Sequence, residues 1–247
     1  MWLCACALAL ALAGSASASS SGDIPETEAL PLRIEKDAEG LVLPYVEMKV
    51  QGEVRRFLLD TGAAGTQLGE DDLSRGLDTV DGAPSRGVSG VALTCSKVRV
   101  DSLTLGLTEF GPRTLSRCRQ YLVGIDVLGA RPFRVDLRRG EWRTPVQLSG
   151  PVGIPGVKRL ERGHLALSLR WGAVDATAVF DTGANMTVAL RVGTWTLRDV
   201  EVAAFSFPPQ LRNDLEGAPV ILGTNVIGRG IWSFDMKTRQ GRVQPLP

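Results

Sequence analysis

The sequence predicts an all-β protein built as two related lobes about a pseudo-twofold axis, and three observations carry that expectation. The tripeptide Asp-Thr-Gly occurs at Asp60-Thr61-Gly62 and again at Asp181-Thr182-Gly183, each time after an apolar run and before an alanine. Each copy is followed downstream by an apolar run, a glycine and a second glycine five residues later, in Tyr121 to Gly129 and in Val220 to Gly228. Composition agrees, with 28 glycines, 14 prolines, short Val- and Leu-rich runs and no long amphipathic segment, which favours strands joined by turns over helices.

Taken in order, the chain opens on an apolar stretch from Met1 to Gly14 followed by Ser15-Ala16-Ser17-Ala18. That is a signal-peptide pattern with cleavage expected after Ala18, and so an exported protein, periplasmic or secreted. The usual basic start is missing, and the stretch gives way to polar residues too soon for a membrane span. Cys4 and Cys6 raise lipid attachment as an alternative, against which no attachment cysteine follows the apolar stretch. Residues 19–30 read as a flexible lead-in, residues 31–147 as the first lobe and residues 148–247 as the second. Thr144-Pro145 through Pro155-Gly156 form the Pro/Gly-rich join.

Within each lobe an alternating segment, Tyr45 to Val50 or Leu165 to Arg170, leads to a glycine, Gly52 or Gly172, and then to the motif strand. That is hairpin patterning. The motif strands Phe57-Leu58-Leu59 and Ala178-Val179-Phe180 read as buried strands that stop at an acid and turn sharply. The spacing from Gly124 to Asp136 and from Gly223 to Asp235 is 12 residues in both cases, so two copies of one unit are expected.

This set of features resembles the aspartic peptidases, the group holding pepsin-like and retropepsin-like enzymes, over most of the chain beyond the leader. The resemblance implies an acid-protease-like β-barrel fold and an endopeptidase that hydrolyses peptide bonds through a water held between two aspartates. Asp60 and Asp181 become the catalytic pair. Thr61 and Thr182 brace the opposite loop, Gly62 and Gly183 turn the chain with their amides facing the carboxylates, and Gly124 and Gly223 belong to the crossing segments. The 121-residue spacing of the copies suits compact lobes, and alanine after each tripeptide is retropepsin-like. A fused, single-chain retropepsin-like enzyme is therefore expected, with a less acidic optimum than enzymes that carry serine there.

The chemistry suits these residue types. Two carboxyl groups sharing one proton supply a base for the water and an acid for the leaving nitrogen. Two ionised carboxylates about 3 Å apart would repel by roughly 5 kcal/mol at an effective dielectric near 20, so the proton belongs to the pair. Glycine lets backbone amides approach the carboxylates. Two alternatives stand beside this reading: the aspartates merely cap turns after strands, or the duplicated fold survives as a non-catalytic peptide-binding or scaffold protein.

The halves differ in one respect. From motif aspartate to crossing glycine is 64 residues in the first and 42 in the second. Within the longer stretch, Ser85 to Ala92 contains Gly87, Val88, Ser89 and Gly90, a glycine-rich turn where the resemblance places a substrate-binding flap; an ordinary surface loop is the alternative. The flap tyrosine of pepsin-like enzymes has no counterpart, since the only tyrosines are Tyr45 and Tyr121. Thr187 to Val202 is too short for a matching flap.

Once the leader is removed, Cys95 and Cys118 remain, an even pair for which a disulfide is expected in an oxidising compartment, two free thiols being the alternative. Two cysteines and His164 make no metal-ligand set, and no metal or organic cofactor is expected. One histidine argues against Ser-His-Asp or Cys-His chemistry; His164 reads as a structural or surface residue. Trp142, Trp171, Trp195 and Trp232 read as core or cleft packing. A net charge of +1 without a basic tract excludes nucleic acid as a partner. The expected partner is a peptide or protein substrate, bound by a monomer.

Overall fold

The computed structural model describes residues 27–36, 42–86, 92–161, 163–171, 174–183, 191–192, 195–196 and 220–247. These residues are mostly β-strand, curled into an all-β acid-protease-like fold. Strand β1 (Glu28–Pro31) leads to β2 (Arg33–Lys36), β3 (Val42–Val50), β4 (Glu53–Leu59) and β5 (Gln67–Leu68). After a one-turn helix α1 (Asp72–Arg75) come β6 (Thr79–Arg86), β7 (Ala92–Val100), β8 (Leu103–Leu105), β9 (Thr108–Phe110), β10 (Arg113–Arg117) and β11 (Leu122–Val123). A second short helix α2 (Ile125–Leu128) precedes β12 (Phe133–Asp136), β13 (Glu141–Thr144), β14 (Val152–Gly153) and β15 (Lys158–Arg159). The remainder is β16 (Leu165–Trp171), β17 (Val174–Phe180), β18 (Arg191–Val192), β19 (Trp195–Thr196), β20 (Val220–Leu222), α3 (Thr224–Ile227), β21 (Gly230–Asp235) and β22 (Gln240–Pro245).

Three sheets result. Strands β2 to β11 form one, β15 to β20 another, and the third runs in the order β1-β13-β12-β21-β22-β14, so that strands from both halves of the chain pair within it. The join between halves is Phe133 opposite Phe234 and Val135 opposite Trp232.

The two motif strands are built alike. Gln51 and Gly52 both take positive φ, 51° and 82°, the geometry of a tight hairpin turn whose twist matches its strands, and so β3 and β4 pair with Tyr45 opposite Leu58. In the second half β16 pairs with β17 in the same register, with Ala166 opposite Val179. Along β4 the residues pass from exposed at Glu53 to buried at Phe57, Leu58 and Leu59, because the strand leaves the surface and enters the core. A parallel neighbour then flanks each motif strand. Val123 of β11 lies opposite Leu59, and Leu222 of β20 lies opposite Phe180. Parallel pairing buries both faces, which is why these short strands are entirely apolar.

The core is largely continuous. Phe133 stacks on Trp142 with centroids 4.3 Å apart, and Phe234 packs edge-on against Phe180 at 4.8 Å, so the shared sheet supports the residue just before Asp181. Trp142 and Trp232 are fully buried, while the side chains of Trp171 and Trp195 lie outside the described residues. The expected lead-in is corrected at its end: Glu28 to Leu30 belong to β1, paired with β13, and Leu30 is buried. With four residues and a proline at its end, that strand is too short to show a pattern of its own. The flap residues Gly87, Val88, Ser89 and Gly90 lie outside the described residues. The strands on either side of them, β6 and β7, pair antiparallel up to Arg86 opposite Ala92. A disulfide joins Cys95 to Cys118, and the Cys118 amide donates to the Leu68 carbonyl. In the second half, β18 and β19 form a much shorter pair, with Val192 opposite Trp195. Among the described residues no helix is long and apolar enough to cross a membrane.

Candidate active site

Each Asp-Thr-Gly begins where its strand ends, and the flanking parallel strand holds the first amide. Asp60 N donates to the Val123 carbonyl at 3.0 Å and Asp181 N to the Leu222 carbonyl at 2.9 Å. From there the two loops meet. Thr61 Oγ1 donates to the Phe180 carbonyl at 2.8 Å, and Thr182 Oγ1 donates to the Leu59 carbonyl at 2.6 Å. Each hydroxyl also accepts from the opposite threonine amide, Thr182 N to Thr61 Oγ1 at 3.0 Å and Thr61 N to Thr182 Oγ1 at 3.1 Å. Four hydrogen bonds thus cross between residues 119 to 123 apart in sequence. Both threonines are completely buried, and each bond satisfies a group that has no water to turn to.

Locked in this way, the loops present their carboxyls to one another. A Cβ on Gly183 would lie 2.7 Å from the Asp60 Cγ, and one on Gly62 would overlap the Asp181 carboxyl. Each glycine is therefore required by the acid of the opposite loop. Asp60 Oδ1 accepts from Ala63 N at 2.9 Å, and Asp181 Oδ1 accepts from Gly183 N at 2.8 Å. The Asp60 and Asp181 carboxyls lie close enough to interact directly, and a single proton shared between them lets one donate to the other. Burial pushes the Asp60 carboxyl above the usual carboxylate range. The Asp181 side chain, the Ala63 and Gly62 amides and the His164 charge oppose the shift without cancelling it. The arrangement disfavours a second charge beside the first, so that a proton is shared by the pair.

The crossing glycines cap the short helices that follow: Gly124 precedes α2 and Gly223 precedes α3, both in extended conformation. A Cβ on Gly124 would meet the Gly65 backbone at 2.7 Å, so the segment packs directly onto the first motif loop, and Ile125 N donates to the Ala63 carbonyl.

Sequence reasoning missed three contributors. Thr66 accepts from Gly124 N at 3.0 Å, and both its amide and its hydroxyl donate to Asp126 Oδ1 at 2.8 Å. The signal was present, since Thr66 and Thr187 each fall six residues after a motif aspartate, and Asp126 and Asn225 each fall two after a crossing glycine. The third is His164, read from sequence as structural or surface, whose Nδ1 lies 2.6 Å from the Gly62 carbonyl. A single histidine has no repeat to betray it.

A second buried cluster supports the approach to the crossing segment. Tyr121 packs edge-on against Phe57, and its carbonyl accepts from Leu58 N. Its hydroxyl faces Asp71 and Arg55 without meeting hydrogen-bond geometry. Burial, with Asp71 beside it, pushes the Tyr121 phenol up to about 12. Burial alone would raise Asp71 too, but the Ser74 amide and the Arg55 guanidinium, which donates to Asp71 Oδ2 at 2.7 Å, bring its carboxyl down to about 2.

A family model described as aspartyl protease matches residues 46–115, a span that includes the first Asp-Thr-Gly and ends before the second. The match supports an aspartic peptidase family and, at that level, a hydrolase acting on peptides. No curated protein matches the chain.

Proposed function

We propose that this chain is an exported, monomeric aspartic endopeptidase in which two lobes, one per Asp-Thr-Gly, share one active site. The observation that carries the reading is the reciprocal threonine lattice that brings each aspartate carboxyl against the glycine of the opposite loop. Water between the carboxyls loses a proton to the ionised aspartate as its oxygen attacks the peptide carbonyl carbon, while the protonated aspartate donates toward the carbonyl oxygen. Collapse of the tetrahedral adduct breaks the C–N bond, and the nitrogen leaves with a proton from the pair. Thr61, Thr182, Gly62, Gly183, Gly124 and Gly223 hold this geometry. We assign the substrate-binding flap to Gly87 to Gly90, which lie between β6 and β7 in sequence. Ala63 carries no hydroxyl, so it adds no side-chain donor to stabilise the carboxylates, and the optimum falls at mildly acidic pH. Export is supported by the leader and by the Cys95–Cys118 disulfide.

Incubation of the mature chain with a mixed peptide library, with and without a statine-type transition-state mimic, tests the proposal. Internal cleavages that the mimic suppresses are expected. Binding of peptides with every bond left intact would identify a scaffold protein instead.

A further inference from the structure

The four threonine bonds treat the two loops alike, yet the chain's only histidine stands at a carbonyl of the first loop. His164 Nδ1 and the Gly62 carbonyl are 2.6 Å apart. A carbonyl only accepts, so Nδ1 carries the hydrogen, in the Nδ1–H tautomer or in the imidazolium. The residue is delivered by a tight turn from the second half of the chain. Leu160 N donates to the His164 carbonyl at 2.9 Å, Gly163 N donates to the Leu160 carbonyl at 2.8 Å, and Arg159 Nε donates to the Gly163 carbonyl at 3.2 Å. Gly163, at a φ of 101°, leaves its Cβ position 3.5 Å from the Ala64 Cβ, so the turn lies against the first motif loop.

The repeat shows what stands at the equivalent place. His164 is two residues before Ala166, which pairs with Val179; its counterpart, two residues before Tyr45, which pairs with Leu58, is Leu43. A leucine side chain has no donor and no charge. Among the described residues, the Asp60 carboxyl interacts with His164, the Asp181 carboxyl lies against Gly62, whose carbonyl His164 meets, and Arg159 stands in the histidine's own turn.

Resting on the peptidase reading above, we propose that His164 is a positioning residue that grips the Asp60 loop through the Gly62 carbonyl and, with Leu43 at the equivalent place in the other half, makes the two aspartates inequivalent. The grip persists in both protonation states that carry Nδ1–H. The charge is present only in the imidazolium. Bond and charge therefore separate by substitution. In His164→Asn the amide nitrogen takes the place of Nδ1 and keeps the donor without the charge. His164→Leu copies the residue of the other half and removes both.

The experiment measures pH profiles of kcat and KM for peptide hydrolysis by wild type, H164N and H164L, alongside titration of the aspartate Cγ resonances in the labelled proteins. H164L is expected to lose about tenfold or more in kcat with KM within about threefold, and H164N to recover most of that loss. In both variants the acidic limb moves up by about half a pH unit, and the Asp60 carboxyl ionises at higher pH than in wild type. The proposal is overturned by an H164L enzyme with wild-type kcat and profile, or by an H164N enzyme as impaired as H164L. If the wild-type chain cleaves no peptide, the peptidase reading fails separately, and the Cγ titrations still decide: curves for Asp60 that coincide in all three proteins overturn the inequivalence.

Discussion

Asp60 and Asp71 are carboxyls of one protein pushed in opposite directions, and they are expected to answer pH oppositely. Burial raises Asp60. A raised acid contributes stability that is fully present below its unfolded value, about 3.9, and is lost as pH rises through the folded one. The variant Asp60→Asn, which cannot ionise, should therefore melt above wild type at pH 7, with the gap closing as pH falls below about 4. Asp71 sits at about 2, so its contribution is present above the unfolded value and is lost as pH falls through 2. Asp71→Asn should melt below wild type between about pH 5 and 7, the deficit shrinking on acidification from about pH 4 to 2. Thermal melts by circular dichroism across that range check both. An Asp60→Asn protein less stable than wild type at pH 7 would show that the pair carries no burial cost.

At the level of elements, two strand ends are held together by hydroxyls instead of by a sheet. Thr61→Val keeps the side chain's shape but leaves the buried Phe180 carbonyl and Thr182 amide without their partner. At about 1–3 kcal/mol for each orphaned group, the loss of stability should be about 2–6 kcal/mol, and Thr182→Val should match it. Because the two hydroxyls serve one network, the double variant should cost less than the sum of the singles. Urea denaturation of the four proteins measures this. Additive losses would mean that the two hydroxyls act independently. The remaining elements serve these loops: β11 and β20 run beside the motif strands, and the Thr66–Asp126 pair ties the first crossing glycine to the loop that it overlies.

Across the whole molecule, what the sequence revealed is what the repeat forced. Each half must end a buried strand in an acid, turn on a glycine and pass a second apolar strand beside it, so Asp60 and Asp181, their glycines and both crossing segments stood out by recurrence. Thr66 was equally periodic and went unread because threonine after a turn is commonplace. The shared sheet was less visible. Phe133 and Phe234 each belong to an ordinary strand, and nothing local in either strand says that they pair with each other. Strand β1 was hidden for the same reason, since its partner β13 supplies the order that its own four residues do not. His164 escaped because it is where the repeat breaks.

The account's central claim is that two carboxyls distant in sequence act as one catalytic unit. Its most direct test is the rate of peptide-bond cleavage by wild type, Asp60→Asn, Asp181→Asn and the double variant, each checked for a native fold. The account predicts that either single change lowers kcat by about a thousandfold or more and that the double change adds little further, as expected for groups that work together. A single variant that keeps more than about a tenth of the wild-type rate, or losses that multiply in the double variant, would contradict it.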